Sequence, residues 1–295
     1  MNWWKELKGS VKRNEPLKKH TTFKIGGPAR FFIEPKDVKD LKLLIILLKR
    51  HRIPCFVIGA GSDLLVSDKG VSSAIIRLSS PDFRAMAFEG SYVEIGAGRS
   101  LQEVIAACAK KGLSGMEFLA GIPGTIGGAL AMNAGQTREG LSMGDFVETV
   151  TAIDLNGRIK ALSKKDVRFG YRSSNLSKYI IVSARLKLTK RSKDQIRKTI
   201  GKYIAYRRAS QDYSGASAGC IFQNPEGDFA GRLIDACGLK GKKAGGACVS
   251  SKHANFIINK GKAKAKDVLA LIRLIKRTVK TKYTIELVPE IKVWR

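Results

Sequence analysis

Two glycine-rich segments constrain this chain more than any other feature in it. GAGSD at 59–63 follows the apolar run CFVI at 55–58, and AGIPGTIGGALAMNAG spans 120–135. Glycine lacks a Cβ, so such backbone can approach another backbone, a flat ring or an anion, and it can take left-handed conformations. In GAGSD the amides can turn outward and Ser62 adds a hydroxyl, which suits a phosphate; a plain tight turn is the alternative. The loop continues into LLVSD, a short β-like stretch, so it does not open a helix as a Rossmann dinucleotide fingerprint does, and it is not a Walker loop. In the second segment Pro123 stiffens the approach, and the scarcity of side chains admits either a close ligand or a buried packing loop.

Around these loops the pattern is mixed α and β. RFFIEP at 30–35 reads as a strand, and the next stretch places Val38, Leu41, Leu44, Ile45 and Leu48 at helical spacing. CFVI and a further apolar run at 74–78 are strands. FRAMAFEG and YVEIGAG predict two more, followed by a helix from the N-cap Ser100 to Lys111. VETVTAIDLNGRIKAL predicts a hairpin with Asn156–Gly157 in a type I′ turn. A strand is expected over 179–188, and a basic helix to about Arg208. Beyond lie a helix at 228–237, a strand at 255–259 and a long helix with the stripe Val268, Leu271, Ile272, Ile275, Val279, an ordinary core face. These elements predict three regions: 1–78, 79–192 and 193–295.

The 295 residues carry a formal charge of +29, which raises the question of a polyanionic partner. Its distribution argues against a nucleic-acid surface: residues 51–100 sum to zero and 101–150 to −2, while the excess lies at both ends. Lys260 to Lys266 alternate Lys with small residues, as on a solvated face. No apolar run approaches the roughly 20 residues needed to span a bilayer, and MNWWKELKGS shows no export signal. Five widely spaced cysteines without a CxxC are expected to be free thiols in a cytoplasmic protein. No cluster has metal-ligand spacing, so no metal is expected.

HTTFKIGGPA (20–29), GAGSDLLVSDKG (59–70), GMEFLAGIPGTIGGALAMNAG (115–135), FGYRSS (169–174), SAGCIFQNP (217–225), AGRLIDACGLKG (230–241), KHANFIIN (252–259) and PEIKVW (289–294) occur in the order found in bacterial UDP-N-acetylenolpyruvoylglucosamine reductases. The chain resembles that family over roughly residues 15–294. The resemblance implies an α+β protein: a two-subdomain FAD-binding module of the vanillyl-alcohol-oxidase (PCMH) type plus a C-terminal α/β substrate-binding domain. It further implies non-covalent FAD, NADPH as co-substrate, and hydride delivery to C3 of UDP-N-acetylglucosamine-enolpyruvate in peptidoglycan precursor synthesis. A cytoplasmic monomer is expected, with no nucleic-acid or membrane partner.

Carried over residue by residue, the resemblance assigns catalysis to Arg172, Cys220 and Glu290. Hydride addition at C3 drives negative charge through C2 into the substrate carboxylate. The site therefore needs a charge stabiliser, for which Arg172 has the guanidinium fork, and a positioned acid. Glu290 would polarise the same group. Cys220 stands where serine is common, and its thiol releases a proton more readily than a hydroxyl; a small buried hydrophobe is the alternative reading. Gly59, Ala60, Gly61, Ser62, Asp63, Ile122, Pro123, Gly124, Thr125, Gly127 and Gly128 would bind FAD, with Asp63 where asparagine is common. Tyr171, Asn224, His253 and Lys292 are the substrate candidates. For His253 a structural hydrogen-bonding role remains open, and Lys292 replaces the usual arginine. Between Arg172 and Cys220 there is no extra tyrosine-bearing insertion of the kind found in the longer family type, so the chain resembles the shorter, type II form. An oxidase of the same FAD fold, acting on a sugar or alcohol, is the competing reading.

Overall fold

The computed structural model describes residues 3–136 and 139–295, so Met1 and Asn2 of the opening stretch lie outside it. The chain folds as two compact units that interleave along the sequence. One comprises Met1–Arg13, Phe31–Ala60 and Ser72–Ala205; the other comprises Asn14–Arg30, Gly61–Val71 and Tyr206–Arg295. The chain passes from the first unit to the second inside GAGSD, between Ala60 and Gly61. No helix among the described residues is long and apolar enough to cross a membrane.

A four-stranded sheet has the order β1 (Ser10–Pro16), β2 (Pro28–Glu34), β5 (Val71–Arg77), β3 (Cys55–Ile58). β3 and β5 run parallel, with Cys55 opposite Ala74 and Ile58 opposite Arg77. Helix α1 (Val38–Arg50) links β2 to β3, and the Asp37 carboxylate caps it by accepting from Asp40 N at 2.8 Å. Leu41, Leu44, Ile45 and Leu48 are buried as the helical spacing predicts, and Leu47 joins them. The buried Asp40 carboxylate accepts from the backbone N–H groups of Lys8, Gly9 and Lys36, each at 2.9 Å. Three backbone donors offset the desolvation of that charge and tie the N-terminal segment to α1.

The second sheet of this unit is antiparallel, in the order 159–163, 147–154, 179–187, β7 (Tyr92–Gly96), β6 (Met86–Glu89). Phe83 to Ala85, expected at the start of the strand that forms β6, instead fall in and just after a 3₁₀ turn, Pro81–Arg84, although Phe83 O and Ala85 O still accept from Gly98 N and Gly96 N, both at 2.9 Å. Helix α2 (Leu101–Lys111) starts in a reciprocal capping box between Ser100 and Glu103 and ends at Gly112 with φ 68°.

The hairpin between 147–154 and 159–163 forms, but not with a type I′ turn. Gly157 is left-handed at φ 80°, whereas Asn156 is not among the positive-φ residues. Gly157 N donates to Asp154 O at 2.9 Å, and the Asp154 carboxylate accepts from Asn156 N and Arg158 N, both at 2.9 Å. The result is a type I turn followed by a glycine bulge, selected by the aspartate that precedes it.

In the other unit β4 (Leu64–Val66) pairs in parallel with the terminal strand Lys292–Trp294. A three-stranded sheet of 243–244, 247–249 and 257–259 packs against α6 (Ala265–Tyr283). The five stripe residues of α6 are all buried, in one cluster with Phe23, Ile25, Leu65, Ile221 and Phe222. The expected helix at 228–237 is α5 (Ala230–Ala236), and the strand expected at 255–259 begins at Ile257.

Candidate active site

In the first unit parts of both glycine segments line one cavity of about 470 Å³, with Gly59 and Ala60 from one loop and Gly124, Thr125, Gly127 and Gly128 from the other. That volume lies in the usual range of roughly 300–1,000 Å³ for cofactor sites. The two loops touch: a Cβ on Gly59 would sit 2.5 Å from Thr125 Oγ1. Thr125 is held in turn, since Oγ1 accepts from Gly128 N at 3.3 Å and caps the short helix α3 (Ile126–Ala131). The walls explain an anomaly of β3, whose apolar Phe56 and Val57 are 38% and 41% exposed; both line the cavity, as does Leu155 at 57%. Backbone cradles at one place and uncovered apolar side chains at another suit a ligand with an anionic segment and a flat apolar ring system. FAD has that chemistry, and these residues fit it.

The remaining FAD candidates are distributed otherwise. Gly61, Ser62 and Asp63 belong to the second unit. There Gly61 is left-handed at φ 63° and packs so closely that a Cβ would fall 2.1 Å from His20 O. Asp63 O accepts from Lys292 N at 3.0 Å, continuing the β4 pairing. Ile122 and Pro123 lie just before the cavity wall; Ile122 O accepts from Gln102 Nε2 at 2.9 Å. Sequence reasoning missed Arg77, Arg84, Ser79, Gly98 and Tyr179, all of which line the cavity. Only Gly98, in EIGAG before the Ser100 cap, carried a local signal. A Cβ there would lie 1.7 Å from Leu78 O.

Arg172 occupies a two-residue hairpin tip between 169–170 and 173–174, with a left-handed backbone at φ 50°. An arginine in that region costs about 1–2 kcal/mol, so surrounding contacts must impose it. They come from the second glycine segment. Asn133 Nδ2 donates to Gly170 O at 2.9 Å, Ser174 Oγ donates to Ala131 O at 2.9 Å, and Arg172 Nη2 donates to Gly135 O at 3.1 Å. The buried Asn133 also accepts from Gly144 N at 3.0 Å. Tyr171, 43% exposed, stacks its ring 5.2 Å from the Arg172 guanidinium carbon.

In the second unit, Cys220 and Glu290 lie on adjacent segments. Cys220 bridges Phe256, Phe222 bridges Pro289, and Glu290 N donates to Ile221 O at 2.8 Å. Both are half-buried. Asn224 Oδ1 accepts from Ala230 N at 3.1 Å at the start of α5, and Lys292 is exposed on the terminal strand. His253 Nδ1 accepts from Asn255 N at 3.3 Å, which assigns the proton of the neutral ring to Nε2. Burial pushes the His253 pKa below its ordinary value, with Lys240 adding to the effect and a backbone hydrogen bond opposing it. The imidazole is therefore a neutral Nε2–H donor at pH 7.

The glycine-lined cavity of the first unit fits an FAD-binding module. The FAD binding domain family matches residues 29–163, and the UDP-N-acetylenolpyruvoylglucosamine reductase C-terminal domain matches 211–294. A Phl p 4 variant described as a glucose oxidase aligns at TM-score 0.50 and 19% identity, over 62% of this chain and 42% of that one, a likeness of fold alone. The specific kinship is much closer. A UDP-N-acetylenolpyruvoylglucosamine reductase of Bacillus licheniformis is 42% identical over 98% of this chain and 96% of its own, and one of Desulforamulus reducens is 41% identical over 97% and 94%. The crystal structure of the reductase from Thermus caldophilus matches at TM-score 0.84 and 37% identity, covering 98% of this chain and all of that one. The chain belongs to the UDP-N-acetylenolpyruvoylglucosamine reductase family.

Proposed function

We propose that this protein reduces the enolpyruvyl group of UDP-N-acetylglucosamine-enolpyruvate to UDP-N-acetylmuramate, with NADPH as the electron source. The geometric observation that supports it best is the backbone tie between the Cys220 and Glu290 segments, which brings the two candidate residues onto neighbouring stretches of chain. Gly59, Ala60, Gly124, Thr125, Gly127 and Gly128 would hold FAD, with Phe56 and Val57 as apolar walls. When bound there, FAD supplies the hydride carrier between NADPH and C3 of the substrate.

The chain's own residues handle charge and protons. Once C3 has gained a hydride, the electron pair of the former double bond resides on C2 and the carboxylate, and Arg172 would stabilise that dianionic enediolate. Glu290 in its protonated form would donate a hydrogen bond to the same carboxylate. The Cys220 S–H bond breaks as its proton forms the new C2–H bond, and the thiolate recovers a proton from solvent. Tyr171, Asn224, His253 through Nε2–H, and Lys292 would bind the UDP-sugar. Residues 1–78 and 79–192 would act as the two flavin subdomains and 193–295 as the substrate domain. The setting that fits is a cytoplasmic monomer of the shorter family type, serving cell-wall formation and, through it, cell shape and division.

Isotopes test the assignment. Turnover in D₂O should place one deuterium at C2 of the product, delivered from the exchanged donor. A product without deuterium at C2, or failure to form the muramate, would refute the scheme.

A further inference from the structure

The segment that presents Cys220 is gripped by a side chain that the proposed chemistry leaves unused. Asn255 is 3% exposed, and its carboxamide closes a ring on the Phe222 peptide: Oδ1 accepts from Phe222 N at 2.9 Å and Nδ2 donates to Phe222 O at 2.8 Å. The Asn255 carbonyl also accepts from Ile221 N at 2.8 Å. From the other side of the same segment, Glu290 N donates to Ile221 O at 2.8 Å and Gln223 N donates to Val288 O at 2.9 Å. Residues 221–223 are thus laced on both sides, and Asn255 supplies most of one side.

Asn255 is itself immobilised. Its N–H donates to His253 Nδ1, while Ser250 Oγ accepts from Lys252 N and His253 N at 3.0 Å and donates to Asp212 Oδ2 at 2.6 Å. Asp212 is buried. Desolvation works against its charge, but hydrogen bonds from Ser250 and Ser214 outweigh it and keep the carboxyl below its ordinary pKa. A fixed anion therefore anchors the 250–256 loop from which Asn255 reaches across.

We infer that Asn255 is a positioning residue for the protonation step: its carboxamide sets the course of the 220–223 segment and so the placement of the Cys220 thiol. This rests on Cys220 as the proton donor. A carboxamide is the only neutral side chain of this size with one acceptor and one donor side by side, matching a peptide's N–H and C=O. Aspartate copies that pattern only when protonated, and burial against a carbonyl favours its protonated form. Asn255→Asp should therefore regain function as pH falls, which a general packing role would not produce.

The test uses FAD-loaded enzyme carrying Asn255→Ala or Asn255→Asp. Asn255→Ala is expected to lower kcat for the enolpyruvyl sugar at least tenfold, while NADPH still reduces the flavin at the wild-type rate. For Asn255→Asp, kcat relative to wild type should rise at least fivefold between pH 8.5 and pH 6. In the same proteins, iodoacetamide alkylation of Cys220, followed by peptide mass analysis, should accelerate at least threefold while that of Cys237 does not change. Wild-type turnover and Cys220 alkylation in both variants would overturn the inference, as would equal losses in both half-reactions with no pH recovery. If Cys220→Ala turned over normally, the donor reading would fall instead, and the alkylation rates would still judge whether Asn255 places the thiol.

Discussion

Replacing Gly59 by alanine tests the contact between the two glycine loops directly. The added Cβ would lie 2.5 Å from Thr125 Oγ1 and 3.6 Å from both Thr125 Cβ and Cγ2, so a single oxygen creates the clash. Overpacking of this kind costs about 1–3 kcal/mol, and moving Thr125 also endangers its hydrogen bond to Gly128 N, a cap worth ~1 kcal/mol. Thr125→Ala alone should lose only the cap. The double variant has room for the Cβ, because the nearest remaining atom is at ordinary contact distance, and should cost little more than Thr125→Ala. The expected coupling is therefore roughly 1–3 kcal/mol, equivalent to about a 5- to 150-fold change in FAD dissociation constant. Flavin fluorescence titration of the four apoproteins measures it. Additive effects, or unimpaired FAD binding by Gly59→Ala, would refute the claim that the loops meet to form the cofactor cradle.

Cys220→Ala should leave flavin reduction by NADPH near wild type while slowing sugar turnover at least a hundredfold, measured by stopped flow. Peroxide should inactivate wild type but not Cys220→Ser, because a thiol climbs the oxidation ladder and a hydroxyl does not. Ile275→Ala, at a site 1% exposed on α6, should destabilise by about 2–5 kcal/mol in urea unfolding, whereas the exposed Arg273→Gln should stay within about 0.5 kcal/mol. Burial lowers the His253 pKa, so below about pH 6.5 the unfolded chain takes up a proton that the folded one resists. Stability should then fall as pH falls from 7.5 to 5.5, and His253→Gln should flatten that slope.

Local chemistry made much of the framework readable. The α6 stripe, the Ser100 cap and the glycine ends of β3 and of the 120–135 segment each announce themselves within a dozen residues, because their periodicity or cap geometry is set by near neighbours. What escaped depends on distant chain. Residues 14–30 and 61–71 fold with 206–295, and nothing in their own pattern says so. Phe56 and Val57 look like core because a wall waiting for a ligand has the composition of a core. Asp154, not Asn156, selects the hairpin turn, since its carboxylate reaches two N–H groups that a dipeptide rule ignores. The catalytic candidates came from motif order rather than from geometry, and the partner of the Asn255 carboxamide lies 33 residues away in sequence.

An anaerobic flavin titration tests in one cuvette whether this chain passes electrons from NADPH through FAD to the enolpyruvyl sugar. The purified protein, reconstituted with FAD if necessary, should lose its absorbance near 450 nm on addition of one equivalent of NADPH and regain it on addition of one equivalent of UDP-N-acetylglucosamine-enolpyruvate. Failure to bind FAD, or a reduced flavin that dioxygen reoxidises but the enolpyruvyl sugar does not, would contradict the account.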